Sequence, residues 1–460
     1  MFVEICIIQG ITLQVSSIPL VTVDLLIVLL YLTIFLWFTL KWKVIALPGL
    51  PSWSAPALLL LKFIAGLAIT WIYTYIYKDR SQADIFKLFD DSRFMHEAIY
   101  KHPADFFRML TGLDDGYYYD RYYLKMNNWY RPYELDNSVY YDTRTLIRMN
   151  AFVRLFSFGI YPVHVLVWSF LSLTGLSLLY KAFYRYLSDT PVLLAGAIFL
   201  LPSVLCWSSG VLKEGIVFLF MGILIYSLNQ WFVKGFKWIY PVLVIASFFG
   251  FFLLKIYILL ALIPGIIAFL ICRLTQFKRV ILCFSSVILL IGVAALNIQH
   301  VFPSVNFMEI LSGKQQAILR LAWYVNSGSV VEVSPLEPNI TSFLLHWPEA
   351  LSNTTLRPFL WEATNGLQWL AAIENLFIGI CIILSIVFFK RQANNEQLTV
   401  LMFCISFTII LFSIMGLTTP VLGSLVRYRM PALPFLFAAM LLITDTRRMS
   451  KFFIGNRNGK

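Results

Sequence analysis

The chain has 460 residues, of which 59% are hydrophobic and only 13% charged, and its mean hydropathy is +0.77. Soluble domains carry about 25% charged residues to cover their surface, so a soluble globular fold is excluded. The net charge of +12 does not point to nucleic acid, because Lys and Arg gather in short loops between apolar runs rather than on a basic soluble domain. Cys6, Cys206, Cys272, Cys283, Cys381 and Cys404 stand singly in apolar segments without metal-ligand spacing, and read as small hydrophobes. Residues 1–17 lack a basic start and a following soluble domain, so a cleavable signal peptide is not expected.

Apolar runs long enough to cross about 30 Å of hydrocarbon recur along the whole length. They are continuous rather than alternating, which selects helices over a barrel. The fold class is therefore all-α, a polytopic transmembrane bundle. In chain order the predicted crossings are 19–40, 56–78, 152–180, 190–209, 215–232, 238–254, 256–272, 280–298, 368–389, 398–419 and 430–446, eleven in all. Lys41 with Lys43, Lys181 with Arg185, Lys234 with Lys237, Arg273 with Lys278 and Arg279, Lys390 with Arg391, and the tail with Arg447, Arg448, Lys451, Arg457 and Lys460 fall on one side under this count. That side is then cytoplasmic, with the N-terminus outside and the C-terminus inside. Only Lys255 separates 238–254 from 256–272; fusing the pair would invert everything downstream. Lys62 and Arg154 stand inside two spans and are expected to snorkel from near helix ends.

Two long segments, 79–150 and 299–367, fall outside, and long loops of a membrane protein usually carry its function. The first holds half of the chain's 24 acidic residues. In ADIFKLFDDSRFMHEAIY, the residues Ile85, Leu88, Phe89, Met95 and Ile99 make a helical stripe that suits a membrane-surface helix. His102-Pro103 restarts a short helix that Gly112 ends. Asp90-Asp91 at the stripe's edge reads as a solvated pair, a general base, or a divalent-cation ligand; Asp114-Asp115 reads as part of a turn. Tyr117, Tyr118, Tyr119, Tyr122, Tyr123, Trp129, Tyr130 and Tyr133 suit an interfacial aromatic belt or stacking on sugar rings. His96, Tyr117, Tyr118 and Trp129 are the candidate sugar or acceptor contacts.

Next, PSVLCWSSGVLKEG places Pro202 inside a crossing and Lys213-Glu214 where the chain turns back. A charged pair at such a hairpin is either a self-satisfied cap or functional. Ser208, Ser209 and Gly210 leave amides accessible ahead of a helix, a setting that favours phosphate. Lys255, Arg357, Arg427 and Arg429 lie on the same outer side, where the positive-inside bias disfavours them. They ask for an anionic partner, either lipid headgroups or a lipid-linked phosphate that arginine's planar fork can grip. Glu374-Asn375 is a further polar intrusion that helix packing can explain.

Over residues 56–232 this layout resembles the GT-C superfamily of membrane glycosyltransferases, which includes the protein mannosyltransferases and aminoarabinose transferases. In that superfamily a crossing leads to a long outer loop bearing a catalytic acid, followed by a hairpin whose outer turn carries a second acidic motif. DDSRFMHEA approximates the first motif, so the resemblance implies Asp90 or Asp91 as catalytic base and Glu214 as the second acid. PSVLCWSSGVLKE also resembles a segment of bacterial envelope-polysaccharide membrane proteins. Departures are the extra helix 19–40, Asp-Asp-Ser in place of the commoner Asp-Glu, and no large soluble domain after the last crossing. The implied organisation is 1–55 extra helix and linker, 56–298 catalytic-type core, 299–367 second outer loop, and 368–460 terminal helices with a basic tail.

The implied activity is inverting sugar transfer from a polyprenyl-phosphate-linked donor to a lipid- or glycan-type acceptor, on the outer face of a bacterial inner membrane and among its lipids. Lys213, Lys255, Arg357, Arg427 and Arg429 would hold the donor phosphate. No cofactor is assigned, although the acidic pair also suits a divalent cation. A repeat polymerase or ligase using outer arginines is the alternative. A lipid-linked saccharide flippase is a third reading, disfavoured by the scarcity of charge within the crossings.

Overall fold

The computed structural model describes residues 20–77, 80, 83–112, 119–130, 142–324, 328–331, 333–390 and 394–454. These residues are all-helical, without a β-strand, as the continuous apolar runs require. Nine helical spans among them are long and apolar enough to cross a membrane. The two further crossings expected from sequence are present in altered form. The 238–254 span is a helix of only 16 residues. The 190–209 span is broken into two short helices where Pro202 removes a backbone donor.

In chain order, α1 (Leu20–Lys41) and α2 (Ser54–Tyr75) lead into α3 (Asp84–Lys101), α4 (Pro103–Thr111), α5 (Asp120–Tyr123) and α6 (Asp142–Ser157). Then come α7 (Tyr161–Tyr184), the broken pair α8 (Pro191–Phe199) and α9 (Pro202–Trp207), and α10 (Lys213–Lys234). The second half is α11 (Ile239–Leu254), α12 (Ile256–Leu274), α13 (Val280–Asn297), α14 (Phe307–Tyr324), α15 (Ile340–Leu356) and α16 (Gly366–Val387). It closes with α17 (Asn395–Thr418), α18 (Leu422–Arg429), α19 (Leu433–Ile443) and α20 (Thr446–Ile454).

The expected stripe in α3 is the buried face, with Ile85, Leu88, Phe89 and Met95 turned inward. The α4 helix opens on Pro103 and ends at Gly112, whose φ of +68° is the left-handed value glycine accepts without a Cβ clash. The span predicted over 152–180 is divided instead. Phe158 and Gly159 both take positive φ, separating the amphipathic α6 from the apolar α7. Lys255 does break α11 from α12, in an extended, non-helical conformation.

The centre of the bundle is α7, buried along almost its whole length. It packs on α10 and α2, while α17 gathers α12, α15 and α19 on the other side. By contrast α1 and α13 expose most of their apolar side chains, as lipid-facing helices do. Contacts draw the basic helix ends together. Lys181 Nζ donates to the carbonyls of Lys43 and Val44, Arg185 meets Glu396, Arg273 reaches the Phe232 carbonyl, and Arg447 lies 3.7 Å from Asp189. Lys62 does not snorkel. It lies well inside α2, is 1% exposed, and donates to Ser208 Oγ at 2.6 Å.

Arg154 belongs to α6 and ties it to α3, donating to Ser92 Oγ and the Phe89 carbonyl. The broken pair also has an electrostatic logic. At the start of α9, Glu374 accepts from the Ser203 amide and hydroxyl, each at 2.6 Å; Lys62 meets Ser208 at its end. An anion at the first turn and a cation at the last complement the aligned peptide dipoles.

Candidate functional site

At the end of the bundle opposite the basic helix ends, the starts of α3, α6 and α10, the break at Lys255 and the last turn of α18 converge. Glu214 occupies the first turn of α10 and is 0% exposed. One carboxylate oxygen accepts from Lys255 Nζ and from Arg427 Nε, both at 2.7 Å, and the other from the second arm of Arg427 at 3.1 Å. The remaining terminal nitrogen of Arg427 reaches Asp84, 2.5 Å away at the start of α3. Lys87, one turn along α3, holds Asp84 from the other side. Lys213 pairs with Asp142, the first residue of α6, at 2.5 Å. So Lys213 and Glu214 do not satisfy each other. Successive residues of a helix point about 100° apart, and these two diverge accordingly.

Aromatic rings close the cluster. The Lys255 ammonium lies 4.6 Å from the Tyr428 ring centre, and Arg427 lies 5.8 Å from that of Trp207. The Tyr257 hydroxyl is buried beside Glu214, Asp142 and Arg427, with no hydrogen-bond partner among the described residues. Asp84 is the open edge, with 43% of its side chain exposed.

Partial burial works to raise the Asp84 carboxyl, but Arg427 and Lys87 outweigh it and hold the group well below the usual carboxylate range. A depressed carboxylate stabilises the fold above its unfolded value of about 3.9 and loses that contribution as pH falls towards its folded value. The melting midpoint of Asp84→Asn is therefore expected to lie below wild type above about pH 5, with the gap narrowing progressively as pH falls below about 4. A gap between the two midpoints that does not narrow from about pH 5 to about pH 2 would mean the carboxylate is not ion-paired.

The other acids proposed from sequence sit elsewhere on α3. Asp90 is bound in bidentate fashion by Arg80 at 2.7 and 2.8 Å on the surface. Asp91 is 2% exposed and accepts from the Asn127 amide and from the Asn128 amide and side chain. Burial raises its carboxyl above the usual value while those three donors pull it back. Asp91 thus pins the segment after α5 to α3, and both oxygens of each aspartate are engaged.

Arg427 and Arg429, two residues apart on α18, project about 200° apart. Only Arg427 joins the cluster. Arg429 is fully buried and donates to Asn375 Oδ1 and to the carbonyls of Thr354, Thr355 and Arg357, closing the C-terminus of α15. Arg357 pairs with Glu362 at 2.5 Å in that same neighbourhood.

The expected sugar contacts are packed inside. Trp129 is 1% exposed, stacked at 3.9 Å on Tyr123, with Arg144 and Arg148 over its ring. His96 packs edge-on against Tyr100 and Phe106. Tyr117 and Tyr118, like Asp114-Asp115, lie outside the described residues. Among the described residues no group of His, Cys, Asp and Glu is arranged to hold a metal ion.

Of the residues singled out in sequence, Lys213, Glu214, Lys255 and Arg427 come together. Asp84, Asp142, Tyr257, Tyr428 and Trp207 are additions the sequence did not indicate. Asp84 carried a faint signal, being an acid directly ahead of the apolar stripe of α3. An acid at a first helical turn is so common that it reads as dipole complementation. Comparison with protein families, with curated proteins and with solved structures found no match in any of the three.

Proposed function

We propose that the chain is a membrane glycosyltransferase that moves a sugar from a polyprenyl-phosphate-linked donor to an envelope acceptor, and that its site is the Asp84–Arg427–Glu214–Lys255 cluster. Positive-inside logic puts the basic helix ends in the cytoplasm and this cluster on the outer face of a bacterial inner membrane. The observation that carries the reading is Arg427, held between buried Glu214 and half-open Asp84. An arginine fixed along one edge by a buried carboxylate is preorganised to receive an anion along the other.

The donor phosphate displaces Asp84 from Arg427, which then bridges Glu214 and the phosphate. Loss of that cation raises the Asp84 carboxyl towards the range of a working base. Asp84 takes the proton of the acceptor hydroxyl while its oxygen attacks the anomeric carbon. The carbon–oxygen bond to phosphate breaks, and its electron pair leaves with the phosphate, where Arg427 and Lys255 meet the added charge. Asp84 takes the role that the resemblance assigned to Asp90 or Asp91.

In membrane vesicles supplied with a polyprenyl-phosphate-linked sugar, Asp84→Asn is expected to lower transfer about 10²–10⁴-fold, the usual contribution of a general base, with donor binding retained. Asp90→Asn is expected to leave transfer within about twofold, since it breaks only a surface ion pair. Full activity in Asp84→Asn with loss in Arg427→Lys would favour the arginine-dependent polymerase or ligase instead. That second reading has an observation of its own: Arg427 is the residue through which Asp84 and Glu214 are joined.

A further inference from the structure

A second site lies at the other end of the bundle. The last turns of α7, α10 and α12 and the early turns of α17 surround an open apolar crevice of about 60 Å³, lined by Phe183, Leu228, Phe232, Ile266, Phe269 and Phe403. Phe232 is 18 residues beyond Glu214 on the same helix, about 27 Å at 1.5 Å per residue, so the crevice is separate from the acidic cluster.

Polar groups occur only at its mouth. Tyr186 and Asn229 line it, with the Tyr186 hydroxyl 3.3 Å from Glu396 and Asn229 donating to the Ala182 carbonyl. Arg185 is 3.4 Å from that same Glu396, a long contact for an ion pair. Arg273 donates to the carbonyl of the lining residue Phe232 and lies over its ring, 4.9 Å from the centre. Among the described residues the charged groups that act on Tyr186 are Glu396, Arg185 and Arg273, two cations to one carboxylate beside an apolar slot.

We propose that this crevice holds a hydrocarbon chain of an acidic phospholipid, whose phosphate sits between Arg185 and Arg273. The apolar lining selects the chain, and the cationic mouth selects an anionic head over a zwitterionic one. The occupant belongs to the leaflet at the basic end of the bundle, which is the leaflet where such a charge has a partner.

The test uses the full chain, purified in detergent, stripped of lipid, and offered phosphatidylglycerol or phosphatidylcholine. Intact-complex mass spectrometry and the thermal midpoint are read together. Phosphatidylglycerol is expected to stay bound and raise the midpoint, while phosphatidylcholine does neither. Leu228→Trp, which fills the crevice, is expected to weaken retention at least about tenfold without lowering the lipid-free midpoint. Arg185→Gln, a change at a partly exposed side chain, is expected to erase the preference between the two lipids. Equal binding of both lipids by wild type, retention unchanged in both variants, or isolation of a prenyl phosphate in place of the phospholipid would overturn the proposal. Should Leu228→Trp fail to fold, the comparison of lipids in wild type and Arg185→Gln decides it.

Discussion

Replacing Glu214 by alanine is expected to lower the stability of the folded chain by about 3–5 kcal/mol, the cost of removing one member of a buried ion cluster. The carboxylate is inaccessible to solvent, and the Lys255 and Arg427 side chains that bind it are 5% and 14% exposed. After the change Arg427 keeps Asp84, but Lys255 is left with the rings of Tyr428 and, farther off, Tyr257, contacts of a kind worth about 0.5–2 kcal/mol. The loss is electrostatic rather than steric, so Glu214→Gln should be nearly as destabilised as Glu214→Ala. Adding Lys255→Met to Glu214→Gln should recover part of it, because a neutral pair replaces an orphaned ammonium. Thermal or denaturant unfolding in micelles checks each variant. A wild-type midpoint in Glu214→Gln would show that the cluster does not depend on charge pairing.

Such a cluster was only partly legible in the sequence, for reasons specific to each residue. The break at Lys255 and the hairpin at Lys213-Glu214 could be read because each interrupts an apolar run, and an interruption is visible locally. The helix Asp84–Lys101 followed from its period and the next helix from Pro103 and Gly112. Arg427 and Arg429 could not be told apart by the positive-inside argument, which weighs charge and ignores azimuth. Yet helix geometry sends one to Glu214 and the other to the end of α15. Asp90-Asp91 drew notice as a doublet, while the single Asp84 is the one that meets Arg427, across 343 positions of sequence. Pairings at that separation are set by tertiary packing, which no local pattern encodes. The same holds for Lys62, whose partner Ser208 is 146 positions away.

The packing that makes these long-range pairings possible yields the second large effect. Gly222→Leu is expected to abolish the folded state, costing at least about 3 kcal/mol, the upper part of the usual range for overpacking. Where α7 and α10 cross, Gly222 faces Gly175 so closely that a Cβ on either would overlap backbone atoms of the other helix. A clash with a flexible side chain can be relieved by a rotamer change, but a clash with a carbonyl oxygen moves a whole helix. That movement would carry the first turn of α10, and Glu214 with it, away from Arg427. Within a bilayer the hydrophobic effect gives no reason for one apolar helix to prefer another, so close backbone approach through small residues must supply the specificity. Gly196, with open space where its Cβ would go, is the matched control. Gly196→Ala should retain or slightly raise the thermal midpoint, since alanine is the better helix former by about 1 kcal/mol. Monodisperse yield and the midpoint in detergent distinguish the two outcomes. A Gly222→Leu protein that melts like wild type would mean that α7 and α10 do not meet at these glycines, and the placement of Glu214 would have to rest on its ion pairs alone.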